Sequence, residues 1–571
     1  MASIDSGRRL GGAGVREFYS KRSVFITGAT GFLGKVIVEK LLRSVPDIGT
    51  VFLLIRPQKG QSPLERLQKI LENEPFLMLR EKRGLEFMLE HLVPIAGNMT
   101  EDDLGMSSAD RATLQERVSI VLHCAATLKF NEHLRTSVEM NVLGTRKLLQ
   151  LVKTMPNIAA FVHASTAYSN CDRRDIGETV YPPPVEPNKL VNSLEWMNDE
   201  MVETLTPHLV GKRPNTYTFT KALAEYTVQE FDTTLPTIIV RPSIIGACWK
   251  EPMPGWMESL NGANGVFAGA SKGVLNNMWG DVDAKADIIP VDVVANTMIV
   301  AAWHRANFSQ KGQRNGFQSF SCDTPVINCC SGGLNPVRWQ QVLNVVKAFL
   351  EEYPIQSVQR PLITASIVSP ALFVIYKARF AYDLNVFFHN YLPAFAVDLW
   401  RQLMGQQPKY ANMNKKALRF METLHYFSRR EWVFESKGML NLWKSMSADD
   451  RMTFDFDFRS MNWNEYLFKY LLGVRHYILK EDVKHLAVAR KRWNKLRTFE
   501  LCLRGLSMWL ALRVFGGARL KATRKWLLVL AGLLSSEVYG VIRKSNSVVA
   551  LPKLQLEPTA ESETRLQATR G

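Results

Sequence analysis

The sequence predicts an α/β protein built on a doubly wound parallel sheet. Short apolar runs alternate with helical segments over roughly the first 300 residues, the pattern of repeated strand-helix-strand units. The runs are continuous in Val, Ile and Leu, as strands covered on both faces require. A glycine-rich turn separates the first run from the first helix.

In chain order the strand-like runs are Ser23–Thr27, Val51–Ile55, Leu92–Gly97, Ile120–Cys124, Ala160–Ser165 and Thr237–Arg241. The Pro-rich stretch Tyr181–Pro187 reads as an excursion over the surface. From Asn328 to Asp482 the alternation stops, and aromatic and long apolar residues predict mostly helix. Beyond it, basic clusters around Lys484–Arg497 and Arg519–Lys525 flank the apolar segments Phe499–Gly516 and Trp526–Ile542. The expected organisation is an N-terminal arm over 1–20, an α/β domain over 21–327, a mostly helical domain over 328–485, a membrane-associating segment over 486–550 and a polar tail over 551–571.

A chain of 571 residues is too long for one ordinary core. Its 46% hydrophobic and 22% charged residues exclude a disordered chain. The net charge of +17 fits nucleic acid, an anionic membrane surface or a polyanionic ligand. Nucleic acid is set aside, because the basic clusters lie beside apolar runs and no nucleic-acid-binding motif accompanies them. The cysteines at 124, 171, 248, 322, 329, 330 and 502 form no CxxC pair and have no His at ligand spacing, so neither a metal site nor a disulfide scaffold is expected. The first twenty residues hold three Arg and no signal-peptide run, which points to a reducing compartment.

The turn Gly28-Ala29-Thr30-Gly31-Phe32-Leu33-Gly34 follows the strand ending in Thr27 and precedes the helical run Lys35–Leu42. One glycine permits the sharp turn, one lets backbone approach a pyrophosphate, and one lets the helix pack on the strand, where its free N–H groups meet the phosphates. This is a Rossmann-type dinucleotide site. The second strand ends in Arg56, where an acidic residue would hold the ribose hydroxyls of NAD and an arginine pairs with the 2'-phosphate of NADP, so NADPH is the expected cofactor. Asn98 closes the third strand, where the adenine is expected.

Tyr217 and Lys221 stand one helical turn apart on one face. A neighbouring ammonium is expected to lower the phenol's pKa, so that it exchanges a proton with a developing alkoxide. Ser165 and Thr166 offer a second hydroxyl at the C-terminal end of a strand, where such sheets hold their sites. His123, His163 and His389 read as structural.

These features resemble the extended short-chain dehydrogenase/reductase family, matched in order by Thr27–Gly34, His123-Cys124-Ala125-Ala126, Asn141–Thr145, Ser165-Thr166, Tyr217–Lys221 and Arg241-Pro242-Ser243-Ile244. Within it the chain is similar to the alcohol-forming fatty acyl-CoA reductases, through Val15–Tyr19, Thr27–Lys35, Phe161–Asn170, Ser331–Pro336 with Trp339, His389–Ala394 with Asp398 and Gly405, and Trp463–Tyr466. The likeness runs to about residue 485. It implies Tyr217 as proton donor, Lys221 as its electrostatic partner and ribose contact, Thr166 as the assisting hydroxyl with Ser165 as second choice, and Ala125 and Pro242 beside the cofactor. It also implies that a fatty acyl-CoA is reduced through an aldehyde to a primary alcohol, with the aromatic helical region walling the acyl chain. An extended reductase acting on a sterol or sugar nucleotide shares the dinucleotide-domain residues, but gives no reason for the helical region or the basic-apolar tail.

Trp526–Ile542 has 17 residues with one charge, Glu537, and as a helix covers roughly 25 Å of a core of about 30 Å. Phe499–Gly516 carries Arg504 and Arg513, which suit an interfacial helix. Residues 499–542 are therefore expected to form a monotopic or hairpin anchor. The resemblance implies a peroxisomal or endoplasmic reticulum membrane with the catalytic domain facing the cytosol, and it is compatible with a homo-oligomer.

Overall fold

In the computed structural model, residues 13–58, 60–275, 277–314, 324–358 and 374–496 are described, with isolated positions at 498, 502, 509, 551 and 552. Seven strands form one sheet: β1 (Ser23–Thr27), β2 (Val51–Ile55), β3 (Leu92–Ala96), β4 (Val118–His123), β5 (Ala160–Ala164), β6 (Thr237–Pro242) and β7 (Val326–Cys329). Their order is β7-β6-β5-β4-β1-β2-β3, and every pairing is parallel. The chain runs outward from β1 through β2 and β3, then returns to the other side of β1 for β4. That reversal opens a crevice at the C-terminal ends of β1 and β4, where sheets of this kind bind ligands.

Alternate strand residues point to opposite faces, and each face has its own cover. Val24, Ile26, Leu122, Val162 and Val240 pack with Ile37 and Leu41 of α1 (Phe32–Ser44) and with Met298 and Ile299 of a later long helix. Phe25, Val121, Phe161 and Ile239 pack with Leu148, Leu149 and Val152 of α2 (Gly144–Lys153) and with Val228 of α3 (Thr216–Glu230). The long helix is α4 (Val291–Arg314). Because both faces are covered, alternation of polar and apolar residues is absent from the strands, which is why they read as continuous apolar runs.

Two boundaries expected from the sequence move. The division at 327/328 falls inside β7, whose Val326 and Ile327 pair with Ile239 and Val240. That short strand, ending in Asn328 and Cys329, carries no alternating context to announce it. The expected arm 1–20 contributes a helix, Val15–Tyr19, with Val15, Phe18 and Tyr19 buried. The Tyr19 hydroxyl donates to the Ile299 carbonyl at 2.9 Å, and the Val15 N–H donates to Asp450 at 3.1 Å.

The region after β7 is mostly helical, with helices at Trp339–Glu352, Arg379–Val386, Leu392–Leu403, Tyr410–Ser428, Lys437–Ser445, Ala448–Thr453 and Trp463–Gly473. Its Phe454, Tyr466, Phe468 and Tyr470 are buried in the same core as α1 and α4. At roughly 1.5–3 kcal/mol for each large apolar side chain removed from water, this shared core binds the two regions together. Two short parallel pairs also stitch them: Asn277–Trp279 with Val374–Tyr376, and Asp175–Ile176 with Val433–Phe434. Among the described residues no helix is long and apolar enough to cross a membrane. The expected anchor 499–542 and the tail 551–571 lie outside the described residues apart from the isolated positions.

Candidate active site

Gly28 follows β1 with φ +72°, a conformation L side chains rarely adopt, and a Cβ there would stand 2.7 Å from the Ala125 nitrogen. A Cβ on Gly34 would overlap the Gly28 carbonyl, so this glycine is what lets α1 sit on the strand. Gly31, the residue before α1, is exposed, and a Cβ there would meet only the Gly28 oxygen. The Gly31 N–H closes the turn on the Gly28 carbonyl at 3.0 Å, and the first N–H groups of α1, at Phe32 and Leu33, have no earlier helical carbonyl to bond, so that the helix start forms a cradle that fits a dinucleotide pyrophosphate.

Buried hydroxyls hold this turn to β4. The Ala125 N–H donates to the Thr27 hydroxyl at 3.3 Å, which in turn donates to His123 Nδ1 at 2.7 Å. Thr145 gives its proton to the Asn141 carbonyl at 2.7 Å, so His123 Nε2 is the donor in the 3.0 Å contact with Thr145. His123 is thus neutral, and burial pushes its pKa down to about 3. His163 is also buried, with neither ring nitrogen partnered, and burial holds it well below its ordinary range. The side chain of His389, within a helical turn, is not described.

At the end of β2 the exposed Arg56 is joined by Arg66, whose guanidinium donates to the Arg56 carbonyl. Burial first and the Arg56 charge second hold Arg66 below its ordinary pKa. Two guanidinium-bearing residues thus crowd one strand end. Asn98, after β3, donates to Glu101 at 3.0 Å and, through its backbone, to the Leu104 carbonyl at 2.7 Å, which shapes the loop beside the crevice. Pro242 ends β6, buried.

α3 begins at an Asn215 cap, whose side chain accepts from the Thr218 N–H at 2.9 Å, and so places Tyr217 in its first turn. The Thr166 hydroxyl, which accepts from the Tyr168 N–H at 3.3 Å, lies close enough to the Tyr217 phenol to favour its ionised form. Lys221 is buried, and its Nζ donates to the Ala164 carbonyl at 2.7 Å. Ser165, adjacent to Thr166, points elsewhere: its hydroxyl donates to Glu225. The fold therefore brings Thr166, Tyr217 and Lys221 together at the end of β5 and engages Ser165 in a buried network.

The expected lowering of the tyrosine's pKa is not what the geometry gives. Burial pushes Tyr217 up to about 12, against a smaller lowering by the nearby Thr166 hydroxyl. Lys221 is itself pushed down to about 8 by burial, opposed by Glu225 and Cys124. Its ammonium is committed to Ala164, and the cost of ionising a phenol away from water wins.

Several site residues had no role assigned from the sequence, Asn141 among them although it stands in a matched family segment. The Asn141 side chain accepts from the Thr127 N–H and donates to Thr220, both at 2.9 Å, tying the loop after β4 to α3 from within a π-turn, Glu139–Leu143. Glu225 lies one turn beyond Lys221, a spacing that could have drawn notice. Phe130 lies 5.8 Å from both Tyr217 and Phe427, and Phe427 packs on Tyr168 and Trp432. An aromatic wall from the helical region thus closes beside the phenol, and no local pattern announces it.

Two family models, both described as male sterility protein, match residues 26–298 and 389–481. The chain is 39% identical over 518 residues to fatty acyl-CoA reductase 1 of Gallus gallus, covering 90% of this chain and 96% of that one. It is 38% identical over 484 residues to fatty acyl-CoA reductase 2 of Mus musculus, covering 85% and 90%. A reductase domain of a non-ribosomal peptide synthetase from Mycobacterium tuberculosis superposes with a TM-score of 0.50 at 15% identity, covering 80% of this chain and 92% of that one, a likeness of fold.

The two neighbouring hydroxyls should separate cleanly on substitution. Ser165→Ala removes a donor from a buried carboxylate and should cost about 1–3 kcal/mol in denaturant titration while changing turnover little. Thr166→Val should lower turnover roughly 100- to 1,000-fold with a smaller loss of stability. Equal effects of the two on turnover would contradict the assignment.

Proposed function

The chain belongs to the fatty acyl-CoA reductase family, and on that premise we propose that this site reduces the thioester of a long-chain fatty acyl-CoA with NADPH, through an aldehyde, to a primary fatty alcohol, releasing CoA. The observation that carries the reading is the Thr166 hydroxyl beside the Tyr217 phenol, with Lys221 buried behind them, at the strand end beside the glycine cradle.

A nicotinamide cofactor held by the glycine cradle would supply hydride to the acyl carbon. What the chain supplies is a place for the negative charge that collects on oxygen. The Thr166 and Tyr217 hydroxyls are preorganised donors for that oxygen, and donors fixed in a site shielded from water stabilise it without reorganising. Tyr217, with its pKa near 12, stays protonated at neutral pH and remains an acid for an alkoxide, whose conjugate acid is weaker still. Lys221, near 8, carries its charge for most of the time at neutral pH and sets a positive potential beneath the pair. In the first reduction a thiolate leaves readily, because its thiol has a pKa of about 8.5. In the second, the alkoxide has no such leaving group and takes the Tyr217 proton. Phe130, Phe427, Tyr168 and Trp432 support an apolar course for the acyl chain beside the phenol.

Arg56 and Arg66 support NADPH over NADH, since paired guanidinium groups at this strand end match a 2'-phosphate and no acidic side chain stands in Arg56's place. The reading includes a peroxisomal or endoplasmic reticulum membrane with the catalytic region on the cytosolic side, supported by the basic and apolar pattern of residues 499–542.

Purified protein given NADPH and acyl-CoAs of increasing chain length should oxidise the cofactor and yield fatty alcohol within a chain-length window. Tyr217→Phe should lower that rate roughly 100- to 10,000-fold. Failure to turn over any acyl-CoA despite bound NADPH would overturn the reading. Arg56→Ala with Arg66→Ala should raise KM for NADPH roughly 100- to 10,000-fold and leave KM for NADH nearly unchanged, because each lost charged hydrogen bond costs about 1.5–3 kcal/mol. An equal rise for both cofactors would remove the 2'-phosphate role.

A further inference from the structure

Exposed apolar side chains are not spread evenly over this molecule. Among the described residues, 12 of the 23 exposed large hydrophobic side chains fall between Phe380 and Met404. They lie on the helix Arg379–Val386, a π-turn at Phe387–Tyr391 and the helix Leu392–Leu403. Phe380 is 77% exposed, Phe395 64%, Trp400 65% and Leu403 74%, with Leu384 and Phe388 between them at about half. The buried side chains of the same stretch, Tyr382, Val386, Asn390, Ala394 and Asp398, recur every fourth residue on the inner side. One face is thus fixed to the protein and the other is apolar and open. Patches of this extent on a soluble surface mark an interaction site.

The inner face holds the stretch rigidly. The Asp398 carboxylate accepts from the Lys409, Tyr410 and Ala411 N–H groups at 2.9, 3.0 and 2.7 Å, clamping Leu392–Leu403 to the next helix, Tyr410–Ser428. Asn390 accepts from the side chains of Asn277, at 3.0 Å, and Asn414, at 2.7 Å. The apolar face is therefore a preformed platform.

Its charge names the occupant. Between residues 377 and 419 there are seven Lys or Arg and two acidic residues. Asp398 is buried in its clamp, and Asp383 pairs with Arg379 at 2.9 Å. Lys409, Lys415, Lys416 and Arg419 are exposed and form no ion pair among the described residues. Aromatic and leucine side chains edged by unpaired cations match the interfacial region of an anionic bilayer, with rings at the headgroup boundary and lysines on the phosphates. At about 18 Å, the 12-residue helix is too short to span a bilayer and suits lying in its plane.

We propose that the hairpin Arg379–Ser428 docks on an anionic lipid surface through Phe380, Leu384, Phe388, Phe395, Trp400 and Leu403, with Lys415 and Lys416 on the headgroups. This contact is separate from any anchor in residues 499–542. The helix Tyr410–Ser428 then runs from the lipid-facing loop to Phe427 in the aromatic wall, roughly 28 Å at 1.5 Å per residue. In that geometry, which rests on the proposed function, an acyl-CoA dissolved in the bilayer enters beside the catalytic phenol without crossing bulk water.

The test is spin-label accessibility on the full chain in vesicles, a readout that involves no turnover and so stands or falls apart from the proposed reaction. The label is placed by Phe395→Cys in a chain carrying Cys322→Ser and Cys502→Ser, with Glu203→Cys as an exposed control. In phosphatidylcholine vesicles containing phosphatidylserine, the label at 395 should collide often with oxygen and rarely with a water-soluble nickel chelate, while the label at 203 does the reverse. Lys415→Gln with Lys416→Gln should raise the lipid concentration for half-insertion roughly 30-fold, at about 1 kcal/mol for each lost charge. A nickel-accessible label at 395 in vesicles overturns the proposal. So does low collision with both reagents, which would mean a segment of the chain itself covers the face. Spin-spin broadening at 395 without dependence on lipid would mean that a second copy does.

Discussion

The site depends on one buried ion pair. Arg241 donates to Glu225 through Nε at 2.8 Å and through Nη2 at 2.7 Å, with both side chains shut off from solvent. Two charges buried this deeply are stable only if their remaining valences are met, since desolvation costs several kcal/mol per ion. Here they are met: Ser165 and Ser169 donate to Glu225, and Arg241 donates to the Gly177 and Thr179 carbonyls at 3.1 and 2.8 Å. Glu225 belongs to α3 and Arg241 to β6, while Ser165 follows β5. The pair therefore fixes the helix that carries Tyr217 and Lys221 against the strand end that carries Thr166. It also explains why two adjacent hydroxyls have different work: Ser165 is consumed in holding the frame, and Thr166 is left to face the phenol.

The second constraint is dryness. Burial raises Tyr217, lowers Lys221 and keeps His123 and His163 neutral, so that the positive charge of Lys221 is not diluted by titrating neighbours. A phenol that resists ionisation is suited to giving a proton to an oxygen more basic than itself. The same exclusion of water strengthens the hydroxyl donors, because a hydrogen bond in a low dielectric is electrostatically stronger than one in water. Site and stability thus draw on the same burial.

The sheet was legible because both its faces are covered, which leaves its strands as unbroken apolar runs, and the cradle because its glycines answer to a turn and a close approach. Tyr217 and Lys221 were legible from helical spacing together with the family resemblance that gave them roles. The rest was hidden for physical reasons. β7 is four residues at a sheet edge, ending in Asn328 and Cys329, and its pairing with β6 is a long-range event. Arg66 reaches Arg56 only through the path of the intervening loop, and Phe427 reaches Phe130 from some 300 positions away in the chain. The direction of the Tyr217 shift was misread because spacing places the ammonium nearby but says nothing of where Nζ points, which is at Ala164. Spacing reports neighbours on one element; it does not report what other elements deliver.

The most direct measurement of the central claim, that one site performs both reductions with hydride from NADPH, is the isotopic content of the product. NADPH carrying deuterium at the transferred position of its nicotinamide should give an alcohol with two deuterium atoms on the carbinol carbon, and Thr166→Val and Tyr217→Phe should suppress both transfers together. An alcohol with one deuterium or none, or an undiminished first transfer in Tyr217→Phe, would contradict a single site built on Thr166, Tyr217 and Lys221.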